Sequence, residues 1–332
     1  MPPLQLHLYA TLAPLLPLSE CATPGRLEAL AQALAAQGYT GLEIQVSQLL
    51  LIGRARLGAV LRAHGLRWIG KVYSSGGAAA VPALCGAPAG AAAVAHPLPG
   101  ASVAAHLAVW EASVRECCCE REGDGLRAAL ASISSQSGRD AFHRAGGAEA
   151  DAFFARALAV EQELGVAVQH ETHRHRLLFS PFLAVDCLRR HPRLRLLADL
   201  SHYSVVCEAP CGEEELEAAV AELARAAVHV HARVGHEEGP QALDPRMPRY
   251  AAQLAGHGAW WAQVFRAARG RGDASVSVTP EYLPPPYCGV GLDGEALADY
   301  EEINAWMAGH VRELFARTMR EAEAEEEEGG AK

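Results

Sequence analysis

The sequence lacks the features that a nucleic-acid partner, a bilayer or a disulfide scaffold would require. Its 29 lysines and arginines stand against 39 acidic residues, and the net charge of −10 argues against nucleic acid, which needs a basic surface. No run of about 18 apolar residues is present, so we expect no membrane span. The nine cysteines lack the spacing of metal ligands, and Cys117, Cys118 and Cys119 are consecutive. We interpret them as reduced thiols.

Two further absences narrow the fold and the location. No glycine-rich turn that would bind a phosphate follows any of the apolar runs, which disfavours an open, dinucleotide-binding sheet. No basic segment precedes Leu4–Tyr9, which already alternates like a first strand. No leader is therefore evident, and we expect a cytoplasmic protein.

The chain does have a regular alternation of short apolar runs and amphipathic helices. Half of its residues are hydrophobic, which is enough for a large core. Eight runs predict strands: Leu4–Ala10, Gly41–Gln45, Leu66–Tyr73, Leu126–Ser135, Val166–His170, Leu194–Ala198, Val228–His231 and Ser275–Thr279. The fourth run is ambiguous, because its first half could also be helical. Eight strand–helix alternations over about 320 residues predict an α/β protein with a (β/α)8 TIM-barrel architecture, and a doubly wound open sheet is the rival.

We expect residues 1–320 to form a single domain that carries an insertion and is followed by a tail. A stretch rich in alanine, glycine and proline, at about 75–100, lacks periodicity and predicts a flexible surface loop after the third strand. Residues 321–332 include six glutamates and predict a disordered, solvated acidic tail.

Charged and imidazole side chains stand at the ends of the last four predicted strands. In chain order they are Glu171, Asp199 with His202 three residues later, His231 and Glu281. The carboxyl ends of the strands of a barrel surround one cavity, so we expect these side chains to converge there. We prefer His231 to His229 because it lies nearer the end of its strand. A mixed set of oxygen and nitrogen ligands suits one divalent metal ion, either Mn²⁺, Mg²⁺, Co²⁺ or Zn²⁺.

The segments around these residues resemble the xylose isomerase-like TIM-barrel superfamily, which includes sugar isomerases, ketose 3-epimerases, hydroxypyruvate isomerase and endonuclease IV. The resemblance rests on His170-Glu171-Thr172-His173, Asp199-Leu200-Ser201-His202, His229-Val230-His231 and Pro280-Glu281. It implies that Glu171, Asp199, His231 and Glu281 bind the metal. It also implies that Glu171 and Glu281 act as base and acid, and that His202 contacts substrate or a second metal.

The sequence departs from particular members of that superfamily. Ketose 3-epimerases have a glutamate six residues after the first ligand and an arginine six residues after the ligand histidine, where this chain has Leu177 and Glu237. The endonuclease needs further histidine ligands on earlier strands. Strands two to four end instead in Glu43, Gln45, Tyr73 and Gln136. Asp244 remains as a fragment of such a multinuclear site.

A local surplus of basic residues surrounds the predicted centre. It consists of His173, Arg174, His175, Arg176, Arg233, His236 and Arg246. The surplus favours an anionic substrate bearing a phosphate or carboxylate, although pairing of these arginines with nearby acids remains open. We expect His173, Arg174, Arg233 and His236 to bind substrate. Arg233 is the leading candidate for an anion clamp, because it lies two residues past His231 and could share its face.

These features predict a metal-dependent isomerase or epimerase that acts on a sugar, a sugar phosphate or a hydroxy-keto acid. In this hypothesis a metal-stabilised enediolate forms when the proton next to the carbonyl leaves. Two alternatives stay open: a metal-dependent hydrolase, endonuclease-like enzyme or lyase on the same scaffold, and a non-catalytic binding protein. We expect a small-molecule substrate and neither a nucleic-acid nor a membrane partner, and we leave a homo-oligomer open.

Overall fold

A computed structural model describes residues 3–75, 101–121 and 123–330. Apart from Ser75, the predicted insertion at about 75–100 lies outside the described residues. The eight cysteines within the described ranges form no disulfide. No helix in the described part of the chain is long and apolar enough to cross a bilayer.

Eight parallel strands form a closed barrel in which each strand pairs with the next one along the chain. They are β1 (Gln5–Thr11), β2 (Gly41–Gln45), β3 (Arg67–Tyr73), β4 (Leu130–Gln136), β5 (Val168–Glu171), β6 (Arg195–Ala198), β7 (Ala227–Ala232) and β8 (Ser275–Pro280). Pairing of β1 with β8 closes the ring, with Gln5 opposite Ser275 and Leu8 opposite Val278. The prediction of a (β/α)8 barrel is confirmed.

Helices connect the strands and cover the outside of the barrel. They are α1 (Leu12–Leu15), α2 (Arg26–Ala36), α3 (Val46–Ile52), α4 (Arg54–Ala63), α5 (Val103–Cys118), α6 (Leu126–Ala129), α7 (Ala148–Leu164), α8 (Pro181–Arg190), α9 (Ser201–Cys207), α10 (Glu214–Ala224), α11 (Ala251–Arg271) and α12 (Tyr300–Gly330). Short 3₁₀ helices cover Leu18–Glu20, Asp140–Gly147 and Pro248–Tyr250. The core between strands and helices includes the fully buried indoles of Trp68, Trp110, Trp260 and Trp261.

Gly53 separates α3 from α4 and has a φ of +85°. Glycine adopts this conformation without the steric cost that a Cβ would add. The ambiguous run that begins at Leu126 starts as the short helix α6 and becomes strand β4 only at Leu130.

The acidic end of the chain is helical where the sequence predicted disorder. Helix α12 continues through Gly330. Two arginines of α11 contact its glutamates: Arg266 pairs with Glu321 and Glu325, and Arg269 pairs with Glu323 and Glu326. These four ion pairs offset the repulsion between the glutamates, which composition alone could not show. Each pair is exposed and contributes little by itself.

The register of the strands places the ends of β5 to β8 at one rim. Glu171 is opposite Leu197, and His231 is opposite Thr279. Asp199 follows β6 directly, and Glu281 follows β8 directly. Side chains alternate between the two faces of a strand, so residues at matching heights point to the same space. The fold therefore brings four parts of the chain that are distant in sequence to one end of the barrel.

Candidate metal centre

Glu171, Asp199, His231 and Glu281 converge at the carboxyl end of the barrel, and we call them the four-residue centre. One potential ligand atom from each lies within 4.8 Å of those of the others. His231 Nδ1 is 3.0 Å from a carboxylate oxygen of Glu281, 3.3 Å from one of Glu171 and 3.9 Å from one of Asp199. All four side chains are buried. The structure thus gathers the four groups that the sequence singled out.

The atoms of the four-residue centre fit a divalent ion. Neither carboxylate oxygen of Glu171 has a hydrogen-bond partner among the described residues, and His231 Nδ1 has none either. A buried carboxylate without such partners is costly unless a cation compensates it. Two ligand atoms bonded at about 2.1 Å and at right angles are about 3.0 Å apart, which is close to the observed spacing around His231. Oxygen and imidazole donors suit Mg²⁺, Mn²⁺, Co²⁺ or Zn²⁺.

Glu43, in the middle of β2, contacts the nitrogen of His231 that faces away from the four-residue centre. Its Oε2 is 3.0 Å from His231 Nε2, and its Oε1 accepts a 2.5 Å hydrogen bond from the Ser134 hydroxyl. Burial disfavours the imidazolium, but the carboxylates of Glu281 and Glu43 outweigh burial and hold the pKa of His231 well above its usual value. A carboxylate bonded to the far nitrogen of a histidine is a common support for a metal ligand.

Lys71, in β3, places a buried cation against the same cluster. Its Nζ lies 2.5 Å from Glu281 Oε1 and 3.8 Å from Glu43 Oε1. Burial opposes the ammonium charge, but Glu281 and Glu43 hold the Lys71 pKa well above its usual value. Burial likewise opposes the Glu171 carboxylate charge, yet Lys71 and His231 help to lower the pKa of Glu171 to about 2. Sequence reasoning assigned no role to Lys71 or Glu43, although a lysine within an apolar strand was a usable signal.

Arg233 is bound to the four-residue centre and not left free as an anion clamp. Its Nη2 contacts Asp199 Oδ2 directly and lies 3.6 Å from Glu281 Oε2. Its Nε donates to the Ser201 hydroxyl at 3.2 Å. The expectation that Arg233 shares the face of His231 fits these contacts. Its charge, however, is already paired with two carboxylates, so it is less available to a substrate anion.

Hydrogen bonds fix the tautomers of two buried histidines beside the centre. A guanidinium can only donate, so His202 Nε2, 3.0 Å from Arg233 Nη2, accepts and the neutral ring carries its proton on Nδ1. That Nδ1 has no partner among the described residues. His173 Nδ1 donates to the carbonyl of Arg174 at 2.6 Å, which leaves Nε2 as its acceptor. Burial lowers the pKa of His202 well below its usual value and that of His173 to about 4.

Comparisons with known proteins identify the fold. No protein-family model matches the sequence, and no curated protein matches it. Solved structures do match. A D-allulose 3-epimerase from Methylomonas sp., in complex with D-allulose, has a TM-score of 0.57 and 13% identity, covering 94% of this chain and 98% of that one. An L-ribulose 3-epimerase has a TM-score of 0.57 and 14% identity, covering 96% and 97%. A xylose isomerase domain protein from Alicyclobacillus acidocaldarius subsp. acidocaldarius has a TM-score of 0.51 and 14% identity, covering 95% and 99%.

The chain has the xylose isomerase-like TIM-barrel fold. The resemblance predicted from the segments around the four-residue centre is thereby confirmed at the level of the fold.

The other predicted substrate contacts lie at different distances from the centre of this xylose isomerase-like barrel. The guanidinium of Arg174 lies 5.4 Å from the ring centre of Tyr287, which also stacks under Arg233 at 4.7 Å. His236 packs instead against Tyr250, with 5.6 Å between the rings. Within the described ranges, no hydrogen bond or ion pair joins His236 to the four-residue centre. Arg174 therefore stays at the edge of the site, whereas His236 belongs to the loop after β7.

Asp244, the possible fragment of a multinuclear site, is held by a neighbouring arginine. Asp244 accepts hydrogen bonds from Arg246, whose guanidinium also pairs with Glu302 at 2.6 Å. The open alternative, that the basic residues pair with acids, thus holds for Arg246 as it does for Arg233. Among the described residues, no hydrogen bond or ion pair joins Asp244 to the four-residue centre.

Proposed function

We propose that this protein is a divalent-metal-dependent isomerase or epimerase that acts on a small hydroxy-carbonyl compound. The observation that carries the proposal is the pair of buried carboxylates, Glu171 and Glu281, on either side of His231 Nδ1. Both are close enough to share one ion and one substrate. Their strands, β5 and β8, are separated by two others, so the two groups approach a bound molecule from different directions.

The side chains of this chain would move the proton. Glu171, whose oxygens have no hydrogen-bond partner among the described residues, removes a proton from the carbon next to the carbonyl. Glu281, after it takes up a proton from solvent or from the Lys71 ammonium 2.5 Å away, returns one to the substrate. Positioned acid–base groups of this kind accelerate reactions by about 10² to 10⁴-fold. His202 Nδ1–H donates to a substrate oxygen and so orients it. A divalent ion in the four-residue centre would supply positive charge where the substrate oxygens become negative.

The structural neighbours support this class of chemistry. They include 3-epimerases crystallised with sugars, among them D-fructose, D-allulose and D-tagatose. Epimerisation beside a carbonyl needs removal and return of a proton, which is what two facing carboxylates can do. The free-ketose reaction of those epimerases is not favoured, because this chain lacks their glutamate six residues after the first ligand. Leu177 occupies that position and is buried against Gly138.

The protonation pattern favours isomerase chemistry over the alternative of a multinuclear hydrolase or nuclease. A second ion would need further ligands, and two other groups could offer them: Glu171 with His173 and His202, and Glu43 with His229 and His231. Both ring nitrogens of His229 already contact hydroxyls, of Ser277 at 2.6 Å and of Thr279 at 3.1 Å. The free nitrogen of His202 carries a proton, because its other nitrogen accepts from Arg233. Asp244 is held by Arg246. One ion is therefore the expected number.

Proton exchange with solvent tests the proposal directly. The purified protein is analysed for metal content, loaded with each of the four candidate ions, and incubated in D₂O with sugars, sugar phosphates and hydroxy-keto acids. We expect one ion per chain and loss of the substrate α-proton signal in the NMR spectrum. Glu171→Gln and Glu281→Gln should each abolish the exchange.

A matched control separates the site from general charge effects. Glu238→Gln removes an exposed carboxylate from the loop after β7 and should leave exchange unchanged. Full exchange by Glu281→Gln on a substrate that the native protein uses would refute the two-carboxylate mechanism. Two or three ions per chain together with phosphodiester cleavage would favour the hydrolase instead, and tight metal binding without exchange would favour the binding protein.

A further inference from the structure

Arg176, in the loop after β5, carries a buried charge that the proposed reaction does not yet use. Its side chain is only 7% exposed. Nη1 donates to the Ser75 hydroxyl at 2.9 Å, and Nη2 donates to Gln136 Oε1 at 3.1 Å. Nε, also buried, has no partner among the described residues. A guanidinium has five N–H donors, so most of its donor capacity remains open.

No carboxylate within the described ranges forms an ion pair with Arg176. The segment that continues from Ser75, residues 76–100, contains neither aspartate nor glutamate, so it has no acidic side chain to offer. Arg54 gives the comparison, because it is also 7% exposed yet pairs with Asp124 at 2.8 Å and with Glu116 at 3.2 Å. A buried charge without an opposite charge is costly. Burial of the charge is therefore destabilising at Arg176, whereas ion pairs compensate it at Arg54.

The charge balance around the four-residue centre points to the missing partner. The buried acids are Glu43, Glu171, Asp199 and Glu281, and the buried cations are Lys71, Arg176 and Arg233. The acids exceed the cations by one charge. A divalent ion, bound with His231 neutral, turns this deficit into a surplus of one positive charge. One negative charge on the substrate would then bring the balance to zero.

Arg176 lies on the side of the barrel rim that carries Glu171, because its partner Gln136 follows Ser135, which is opposite His170 in the pairing of β4 with β5. Burial lowers the pKa of Arg176, and the carboxylate of Glu171 acts on it in the opposite direction without contacting it. The partners of Arg176 stand just after β3 and at the end of β4, next to the strand that carries Glu171. Two neutral partners orient the guanidinium and leave its charge for a ligand.

We propose that Arg176 binds an anionic group of the substrate, either a carboxylate or a phosphate, while the reacting carbon lies at the four-residue centre. This inference rests on the proposed function and narrows its substrate class to acidic hydroxy-carbonyl compounds or sugar phosphates, as opposed to neutral sugars. It replaces Arg233, the clamp expected from the sequence, with a residue whose charge no acid among the described residues pairs. The planar guanidinium can hold either anion through two parallel N–H donors.

Anion binding to the protein loaded with Mg²⁺, the form in which the charge balance leaves one positive charge, tests the inference without relying on turnover. Inorganic phosphate and malonate are titrated separately by calorimetry into the native protein and into Arg176→Met, Arg176→Lys and Arg246→Met. We expect one site in the native protein, at least about tenfold weaker binding in Arg176→Met, and an intermediate loss in Arg176→Lys, which keeps the charge but not the fork. Arg246→Met removes a charge that already has acidic partners and should bind like the native protein.

The outcomes distinguish this inference from the proposed function. A preference for phosphate or for malonate assigns the group that Arg176 accepts. Binding of neither anion, or equal binding by a folded Arg176→Met variant, overturns the role of Arg176. Proton exchange on neutral sugars that equals exchange on acidic ones also overturns it, yet leaves the isomerase intact. Anion binding that depends on Arg176, in a protein without exchange on any substrate, would retain the anion site and reject the isomerase.

Discussion

Replacing Glu43 with glutamine tests how the barrel supports His231, a proposed metal ligand. Glu43 contacts His231 Nε2 at 3.0 Å and has no role as a ligand in the four-residue centre. Glutamine has the same shape and can still accept one hydrogen bond, but it lacks the negative charge. The substitution therefore weakens the electrostatic support of His231 without creating a cavity.

The expected loss is a 10- to 100-fold weaker affinity for the ion, or about 1.4 to 2.7 kcal/mol, which is the usual effect of removing the partner behind a metal-binding histidine. The loss should grow with pH. In the native protein the Glu281 and Glu43 carboxylates raise the pKa of His231, so at low pH the ion must displace a proton. Without the Glu43 charge the pKa of His231 falls. At low pH a smaller fraction of the variant then carries the proton that the ion must displace. The loss of metal affinity in the variant is therefore smallest at low pH and reaches its full size at high pH.

Competition for Mn²⁺ between the protein and a fluorescent chelator, measured from pH 6 to pH 9, gives the affinities. Glu238→Gln, an exposed change of the same kind, serves as the control and should match the native protein at every pH. An affinity for Glu43→Gln within twofold of the native value across the whole range would show that Glu43 does not support His231. The argument for a carboxylate–histidine–metal arrangement would then be wrong.

Three further substitutions probe stability. Lys71→Met leaves Glu281 without its 2.5 Å partner and should cost the metal-free protein about 3 to 5 kcal/mol in urea unfolding, with part of the loss restored by Mn²⁺; an unchanged midpoint would contradict the ion pair. Arg54→Met breaks a buried network with Asp124 and should also cost about 3 to 5 kcal/mol, but this loss should not respond to the ion. Burial lowers the pKa of His257 to about 4, so the native protein should lose about 1.4 kcal/mol per unit as pH falls from about 6.5 toward that value. His257→Gln should lack this contribution, so its free energy of unfolding relative to that of the native protein should rise by about 2 kcal/mol between pH 7.5 and pH 5. The same difference in unfolding free energy between the two proteins at both pH values would refute this.

The barrel and the grouping of its four rim residues were accessible from the sequence because both depend on local signals. Each strand is a short apolar run, and a polar residue such as Asp199 or Glu281 marks its end. In a closed barrel of parallel strands, all such ends meet at one rim. The chain order of the strands was therefore enough to place side chains that are more than 100 residues apart next to each other.

The supporting residues could not be predicted in the same way. Glu43 meets His231 across 188 residues, and Lys71 meets Glu281 across 210. A charged residue in an apolar strand indicates that it has a partner, but not which of seven other strands supplies it. Short helices were missed for a related reason. Helix α9 begins two residues after Asp199, and a run of seven residues is too short to show a helical period.

The roles of the arginines were also beyond the sequence. Arg176 and Arg233 both lie within a few residues of a proposed ligand, and the sequence favoured Arg233 as the anion clamp because it lies two residues past His231. The two arginines differ in the acidic side chains that the fold places next to them. Arg233 reaches Asp199, which lies 34 residues away, whereas Arg176 reaches only the neutral Ser75 and Gln136 among the described residues.

Closure of the ring through β1 and β8 also has a thermodynamic meaning. The cluster of acids, lysine and histidine draws on β2 and β3 from the first half of the chain and on β5 to β8 from the second. An ion that binds this assembly has no equivalent site on a chain whose halves are apart. Occupancy and folding are then coupled, and each tenfold excess of free ion above its dissociation constant adds about 1.4 kcal/mol to the stability of the closed barrel. The supply of metal would thus act on the lifetime of the folded protein as well as on its chemistry.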